Sequence, residues 1–281
     1  MNKKGKLYLV ATPIGNLDDI TIRAIKVLQN VDLIAAEDTR HSLKLLNHLE
    51  ISKPLISYHR HNEENKTEVL INKLLNGENI ALITDAGTPA ISDPGEEVVK
   101  QAIEKEIEII PIPGACALIN ALICSGMNTR EFAFYGFLPL NKKLRKNKFE
   151  EIKKENKTII LYEAPHKINQ TLKDILQEVG DVNIVLAREL TKIHEEFIRG
   201  KISEIIEKYT DLKGEMIIVL EENKFENSTD KLTELLNNMS IEEHYNYYKK
   251  QNLEKKEIVK KMAKDRNVNK NEIYMKVINF N

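Results

Sequence analysis

The chain has 281 residues, 42% apolar and 30% charged, the balance of an ordinary folded protein. A formal net charge of −1 excludes a globally basic nucleic-acid binder, and the absence of tryptophan leaves Leu, Ile and Val to fill the core. Cys116 and Cys124 share one apolar stretch without metal-ligand spacing, so they read as reduced thiols in a cytoplasmic protein.

At the N-terminus, the apolar run Leu7–Ala11 is too short for a signal peptide, and no stretch approaches the ~18 apolar residues of a membrane span. From there to about Glu221, short β-branched runs alternate with helical patterns. Strands are predicted at Leu7–Thr12, Asp32–Ala36, Leu55–Tyr58, Ile80–Thr84 and Ile107–Pro111. Helices are predicted between them at Thr21–Gln29, Ser42–Leu49, Lys66–Asn76 and Glu96–Lys105, which makes an α/β lobe with a largely parallel sheet.

A second α/β lobe follows a boundary near residues 112–120. Its predicted strands are Phe132–Phe137, Thr158–Tyr162, Asn183–Ala187 and Glu215–Glu221, with helices near Ile168–Glu178 and Ser203–Tyr209. The lysine-rich stretch from Leu140 to Lys157 reads as a loop and then an amphipathic helix. Past a polar linker at Phe225–Ser228 the chain becomes strand-poor. Leu232, Leu235 and Leu236 mark one helix, Ile258, Val259, Met262 and Ala263 another, and Asn269–Val277 a last one. The expected division is 1–115, 116–222 and a helical appendage of helix-turn-helix type at 223–281.

The loops after three strands of the first lobe are rich in Gly and Pro: Pro13 to Leu17, Asp85 to Gly95, and Ile112 to Ala115. In open α/β sheets ligands bind beyond the carboxyl ends of the strands, where glycine lets the backbone approach closely. Ordinary tight turns explain the short loops equally well. The 85–95 loop exceeds the usual two-to-six-residue connection and reads as a binding loop. Neither G-x-G-x-x-G nor a Walker A string is present, which disfavours dinucleotides and phosphate-loop nucleotides.

The strings Val10–Leu17, Ala36–His41, Asp85–Gly95 and Pro111–Ala115 together resemble the tetrapyrrole-methylase superfamily. With Phe134–Pro139, Leu161–His166 and Ala187–Lys192, they resemble its branch of ribosomal RNA small-subunit (cytidine-2′-O)-methyltransferases. The resemblance runs in order over residues 5–222, and more loosely over the tail. Lys167 stands where the branch usually carries arginine, and Thr84 where serine is common.

The resemblance implies a two-lobed tetrapyrrole-methylase-type α/β fold with a small C-terminal helical, helix-turn-helix-like domain. It implies a homodimer that uses S-adenosyl-L-methionine on a cytidine of 16S rRNA in the small ribosomal subunit. The implied cofactor contacts are Pro13, Gly15, Asp85, Ala86, Gly87, Thr88, Ala90, Ile91, Gly114 and Ala115 from the first lobe. From the second they are Tyr162, Glu163, Ala187, Arg188, Gly214 and Glu215. A sulfonium is already a good leaving group, so the protein mainly aligns the reactants, and removal of the ribose 2′-hydroxyl proton helps.

Candidate catalytic groups are Glu37, Asp38 and Arg40 after the second strand and His59 after the third. A structural reading, in which the carboxylates cap a helix, is open for Glu37 and Asp38. His59 and His61 have the spacing of a metal pair on one face of a strand, but polar satisfaction or substrate contact is the preferred reading and no metal is expected. RNA phosphates are expected to meet Lys142, Lys143, Arg145 and Lys146, and on the tail Lys255, Lys256 and Lys260, unless these form a solvated surface. Two other readings stand beside this one: a methyltransferase acting on a tetrapyrrole precursor or another small molecule, and a non-catalytic RNA-binding protein of the same fold.

Overall fold

The computed structural model describes residues 3–210, 212–222, 235–251, 253–266 and 268–280. The chain divides into two units, Met1–Glu222 and Asn223–Asn281. The polar linker expected at Phe225–Ser228 and the helix marker Leu232 lie outside the described residues.

In the first unit, β1 (Lys6–Val10), β2 (Leu33–Ala36), β3 (Leu55–Ser57), β4 (Ile80–Ile83) and β5 (Glu108–Ile112) form a parallel sheet in the order β3-β2-β4-β1-β5. The two strands next to each other at its centre explain their own sequences. All four residues of β2 and of β4 are buried, as expected of parallel strands covered on both faces. Leu7, Leu82 and Leu70 belong to the core on one face, and Val10, Leu28 and Ile83 to the core on the other.

Helices α1 (Ile22–Asn30), α2 (Thr39–His48), α3 (Glu63–Leu75) and α4 (Glu96–Glu104) supply the crossovers. Thr21 and Asp38 cap α1 and α2 by accepting from backbone N–H groups of Ala24 and Arg40. From β1 the chain runs to β2, two places one way along the sheet, and from β4 to β5, two places the other way. Adjacent strands whose connections leave in opposite directions open a crevice at their carboxyl ends, between the loops after β1 and β4. Those loops are tied to each other, Thr12 N–H donating to the Gly87 carbonyl at 2.9 Å and Gly87 N–H to the Thr12 carbonyl at 3.1 Å.

The second lobe begins with α5 (Ala117–Ile123) and carries β6 (Phe132–Phe137), β7 (Thr158–Glu163), β8 (Asn183–Arg188), β9 (Glu196–Lys201) and β10 (Met216–Leu220). Their order is β6-β7-β10-β8-β9, with β6 and β7 parallel and the remaining pairs antiparallel. Helices α6 (Lys142–Lys154), α7 (Ile168–Glu178) and α8 (Ile202–Lys208) cover one face over a core that includes Phe149, Leu172 and Ile218. The other face packs Ile160, Val185 and Val219 against α5 and against Ile14 of the first lobe, which joins the lobes beneath the crevice.

Strand β9 and helix α5 were not among the elements expected from sequence. His59 and His61 fall in the turn after β3 rather than on a strand. Their ring centroids are 6.0 Å apart, edge to face.

The second unit holds α9 (Ile241–Lys249), α10 (Lys255–Asp265) and α11 (Lys270–Val277) around Tyr245, Ile258, Met262 and Ile273. Helix α9, begun by a Ser240–Glu243 capping box, is an addition to the expected elements. Buried His244 links two helices: its Nε2 lies 3.2 Å from Asp265, and its Nδ1 accepts from Arg266 Nε at 3.0 Å.

Candidate functional site

A cavity of about 460 Å³ opens at the crevice, in the range of about 300–1,000 Å³ usual for small-molecule sites. The first lobe lines it with loop residues: Ile14 after β1, Glu37 after β2, and Asp85, Ala86, Gly87, Thr88, Ile91, Ser92 and Asp93 after β4. The second lobe lines it with the start of α5 and with strand ends, among them Phe137, Tyr162, Glu163, Ala187, Met216 and Ile217. Gly87 stands at φ +83°, and a Cβ there would come within 3.2 Å of Ile14, so the wall needs glycine. Tyr162 stands edge-on to Phe134 and Phe137, with centroids at 4.9 and 5.6 Å.

The 85–95 loop is held from several directions. Arg60 donates to the Ser92 carbonyl, and Glu63 Oε1 accepts Gly95 N–H at 2.9 Å. Ala90 and Ser92 both stand at φ 65°, a left-handed conformation that side chains other than glycine rarely adopt. Such strain persists only where surrounding contacts impose it.

The charged residues that line the cavity are Glu37, Asp85, Asp93, Glu163 and Glu215, and no Lys or Arg joins them. A cavity of that sign suits a cationic ligand and repels phosphate. Burial, and then the Asp85 carboxylate, raises the Glu37 pKa. Burial, and then Glu37, pushes Asp93 up to about 6, against the opposing pull of Arg60. Tyr162 is pushed up to about 12, mainly by burial. A carboxylate raised to about 6, as Asp93 is, can take up a proton near neutral pH. Among the described residues no group of His, Cys, Asp and Glu has the arrangement to hold a metal ion.

Of the cofactor contacts implied by the resemblance, Asp85, Ala86, Gly87, Thr88, Ile91, Tyr162, Glu163, Ala187 and Glu215 line the cavity. Pro13, Gly15, Ala90, Gly114, Ala115, Arg188 and Gly214 are not among the lining residues, though several of them are closely packed. A Cβ on Gly15 would meet Lys192 Cγ at 2.5 Å, and one on Gly114 would meet Ala11 Cβ at 2.9 Å. The Ala115 carbonyl accepts from the Thr88 hydroxyl at 3.0 Å. Arg188 donates to the Lys213 carbonyl and pairs with Glu196 at 3.0 Å, and Gly214 stands at φ +92° against Glu189.

Among the candidate catalytic residues, only Glu37 lines the cavity. Asp38 caps α2 and pairs with Arg40 at 2.9 Å, which holds its carboxyl at about 2. His59 lies outside the lining, with Nε2 at 3.2 Å from Asn62 Nδ2 and a buried Nδ1 without a partner among the described residues. The basic candidates separate too. Arg145 is committed to Asp174 and Thr171 at 2.8 Å each, and Lys255 donates to the carbonyls of Ile278 and Phe280. Lys142, Lys143, Lys146, Lys256 and Lys260 are exposed.

The sequence reading missed the cavity roles of Asp93, Cys116, Phe137, Pro165, Met216 and Ile217. Asp93 carried a signal, as the second acid of an unusually long loop. The apolar residues carried none beyond their place at strand ends.

Comparison with known proteins agrees with this geometry. The profile of the Tetrapyrrole (Corrin/Porphyrin) Methylases matches residues 6–206. The ribosomal RNA small subunit methyltransferase I of Halalkalibacterium halodurans is 46% identical over 273 residues, 96% of this chain and 94% of that protein. The protein of the same name from Bacillus subtilis is 47% identical over 272 residues, 96% of this chain and 93% of its own. Among solved structures, a diphthine synthase superposes with a TM-score of 0.61 at 13% identity, covering 77% of this chain and 90% of that one. A cobalt precorrin-4 methyltransferase gives 0.56 at 17% identity, covering 77% and 94%. At those identities the superpositions speak for the fold alone.

Proposed function

The chain belongs to the tetrapyrrole methylase family and, within it, to the ribosomal RNA small subunit methyltransferase I group, and from that premise we propose that it transfers a methyl group from S-adenosyl-L-methionine to the 2′-hydroxyl of a cytidine in 16S rRNA. The observation that carries the cofactor reading is that every charged residue lining the cavity is a carboxylate. The sulfonium and the ammonium of S-adenosyl-L-methionine are both cations, and the cavity's volume and aromatic edge suit a nucleoside. When bound, the cofactor supplies an activated methyl group.

The main chain of residues 85–88 and the side chains of Tyr162, Ala187 and Ile217 would hold the nucleoside, and Glu37, Asp85 and Glu215 would meet the charged and hydroxyl groups. Pro13, Gly15, Ala90, Gly114, Ala115, Arg188 and Gly214 would act by shaping those contacts. Asp38 and Arg40 would act as a pair at the rim, where exposed Arg40 can turn to an RNA phosphate. His59 would contact substrate from the same turn as Arg60.

RNA phosphates are excluded from the acidic cavity and would meet exposed cations, for which Lys142, Lys143 and Lys146 on α6 and Lys256 and Lys260 on α10 are available. Ile22, Ile123, Leu140 and Ile193 are exposed, as a pairing surface between two copies would require. No described helix is long and apolar enough to cross a membrane. Action on ribosomal subunits would place the chain in the cytoplasm.

The test is incubation of the chain and labelled S-adenosyl-L-methionine with small subunits from cells lacking the activity, followed by mass-spectrometric mapping. A single new 2′-O-methylcytidine is expected. Label on a base, or on a tetrapyrrole precursor in place of RNA, would overturn the reading.

A further inference from the structure

The last helix of the second unit leaves much of its apolar surface in solvent. Helix α11 buries Ile273 and Val277 in the core of the unit. Its other large side chains stay out: Tyr274 is 51% exposed, Met275 69%, and Ile278, which continues the helical conformation at the C-cap, 48%. A lone exposed apolar residue is ordinary, but three on one short helix mark a contact surface. At ~100° per residue, Lys270, Tyr274, Ile278, Asn271 and Met275 follow one another around ~140° of the helix. Glu272 falls beyond that arc and pairs with Lys276 at 2.7 Å. The arc therefore carries an aromatic ring, two apolar chains, an amide and a cation, and no acid.

Helix α10 adds the charge. It buries Ile258, Val259, Met262 and Ala263, and on its outer side Lys256, Lys260 and Lys264 stand exposed at i, i+4 and i+8. Successive members of such a row are ~6 Å apart along the axis. None of the three has an ion pair or hydrogen bond among the described residues. Asp265 is held by His244 and Tyr248 at 3.2 and 2.6 Å, which leaves Glu257 as the one acid among the exposed residues of this helix. Lys255 donates to the carbonyls of Ile278 and Phe280 at 3.0 and 2.6 Å, so the end of the arc is anchored one residue before the lysine row begins.

We propose that this face of the second unit binds an unpaired strand of RNA, with a base stacked on Tyr274 and phosphates on Lys256, Lys260 and Lys264. The assignment rests on the RNA-substrate reading above and states how that substrate is held. A duplex hides the faces of its bases, so the lysines alone would serve it and the ring would have no use. Unpaired bases offer their faces to an aromatic side chain and their phosphates to neighbouring cations, which is the combination found on α11 and α10. A twofold pairing of two copies through this face would instead bring two lysine rows into one interface, where like charges oppose association.

Binding of a labelled oligocytidylate strand to the full chain, read by fluorescence anisotropy, tests the surface without any need for methyl transfer. Tyr274→Ala should weaken binding roughly tenfold, and Tyr274→Phe should keep the wild-type affinity. Tyr274→Leu, which retains apolar bulk without a ring, should behave as the alanine variant does. Lys256→Gln, Lys260→Gln and Lys264→Gln should each reduce the slope of log affinity against log salt by roughly 0.7. In methylation of hypomethylated small subunits, Tyr274→Ala should raise KM by a similar factor and leave kcat and the calorimetric affinity for S-adenosyl-L-methionine unchanged. Wild-type strand affinity in Tyr274→Ala or in Tyr274→Leu overturns the assignment. A Tyr274→Ala chain that loses only self-association, measured by sedimentation, overturns it too. A wild-type chain that binds the strand through Tyr274 yet methylates no small subunit overturns the functional reading and leaves this surface standing.

Discussion

Glu163 and Asp93 line the same cavity from opposite lobes and live in opposite circumstances. Glu163 ends β7 at 6% exposure, yet its two oxygens are met by the Thr171 hydroxyl and by Ala164 N–H. Behind them Arg145 donates to Thr171 and pairs with Asp174, so the charge is part of a closed network. Asp93 is less buried but has no such partner, and its nearest charged neighbours include two further acids. Burying a charge is tolerable when it is hydrogen-bonded and costly when it is not. The second lobe therefore builds its wall for stability, while the first leaves charge unrelieved in a cavity suited to a cation.

The largest effect should come from destroying the shape of the first wall. Gly87→Val places a β-branched side chain at φ +83° and against Ile14. Left-handed strain of ~1–2 kcal/mol and a comparable clash would make the loop relax, and rebuilding it on binding should weaken cofactor affinity roughly 100-fold. Calorimetry reads this directly, and an unchanged affinity would show that the loop is not the binding wall. On the second wall the loss should be smaller. Tyr162→Ala removes a ring flanked edge-on by Phe134 and Phe137, and affinity should fall roughly tenfold. A loss equal to that of Gly87→Val would mean that the two walls share the binding evenly.

The same contrast separates what could be read in the sequence from what could not. The parallel sheet was legible because β2 and β4 are continuous apolar runs, and the ligand loops because Gly and Pro punctuate the ends of β1, β4 and β5. Strand β9 was not: Glu-Phe-Ile-Arg-Gly-Lys is an edge strand whose charges face solvent, with glycine at position 200. Helix α5 is seven residues of nearly unbroken apolar character, too short to show a helical period, and α9 packs through His244, Tyr245 and Tyr248 in place of Leu or Ile. The second-lobe wall was the least legible part of the site. Phe137, Met216 and Ile217 look like core residues in any strand, and only the tertiary fold turns their ends toward a cavity. Arg145 misled in the other direction, because its place in a lysine-rich run conceals its tie to α7.

Stability offers a finer probe of the contrast. Thr171→Val leaves one Glu163 oxygen without its donor inside the protein. The first unit should lose ~1–3 kcal/mol, a drop of several degrees in Tm. A loss under about 0.5 kcal/mol, the range of neutral surface changes, would show that Glu163 is not held by that network.

The smallest effect has the opposite sign. Folding raises the Asp93 pKa from 3.8 to about 6, so the folded state binds its proton more tightly than the unfolded chain does. The stabilisation from that proton is complete below 3.8 and is lost as pH rises through about 6, so that at neutral pH the fold carries the whole cost of the ionised group. Solvent around a half-exposed carboxylate screens much of that cost. Asp93→Asn should therefore stabilise the first unit at neutral pH by about 1 kcal/mol, less than the full shift implies. The gain should shrink as pH falls through about 6 and vanish near 3.8, as measured by urea unfolding across that range. A replacement that stabilised the fold equally at every pH would locate its benefit in packing, and Asp93 would then resemble Glu163 in being a satisfied structural acid.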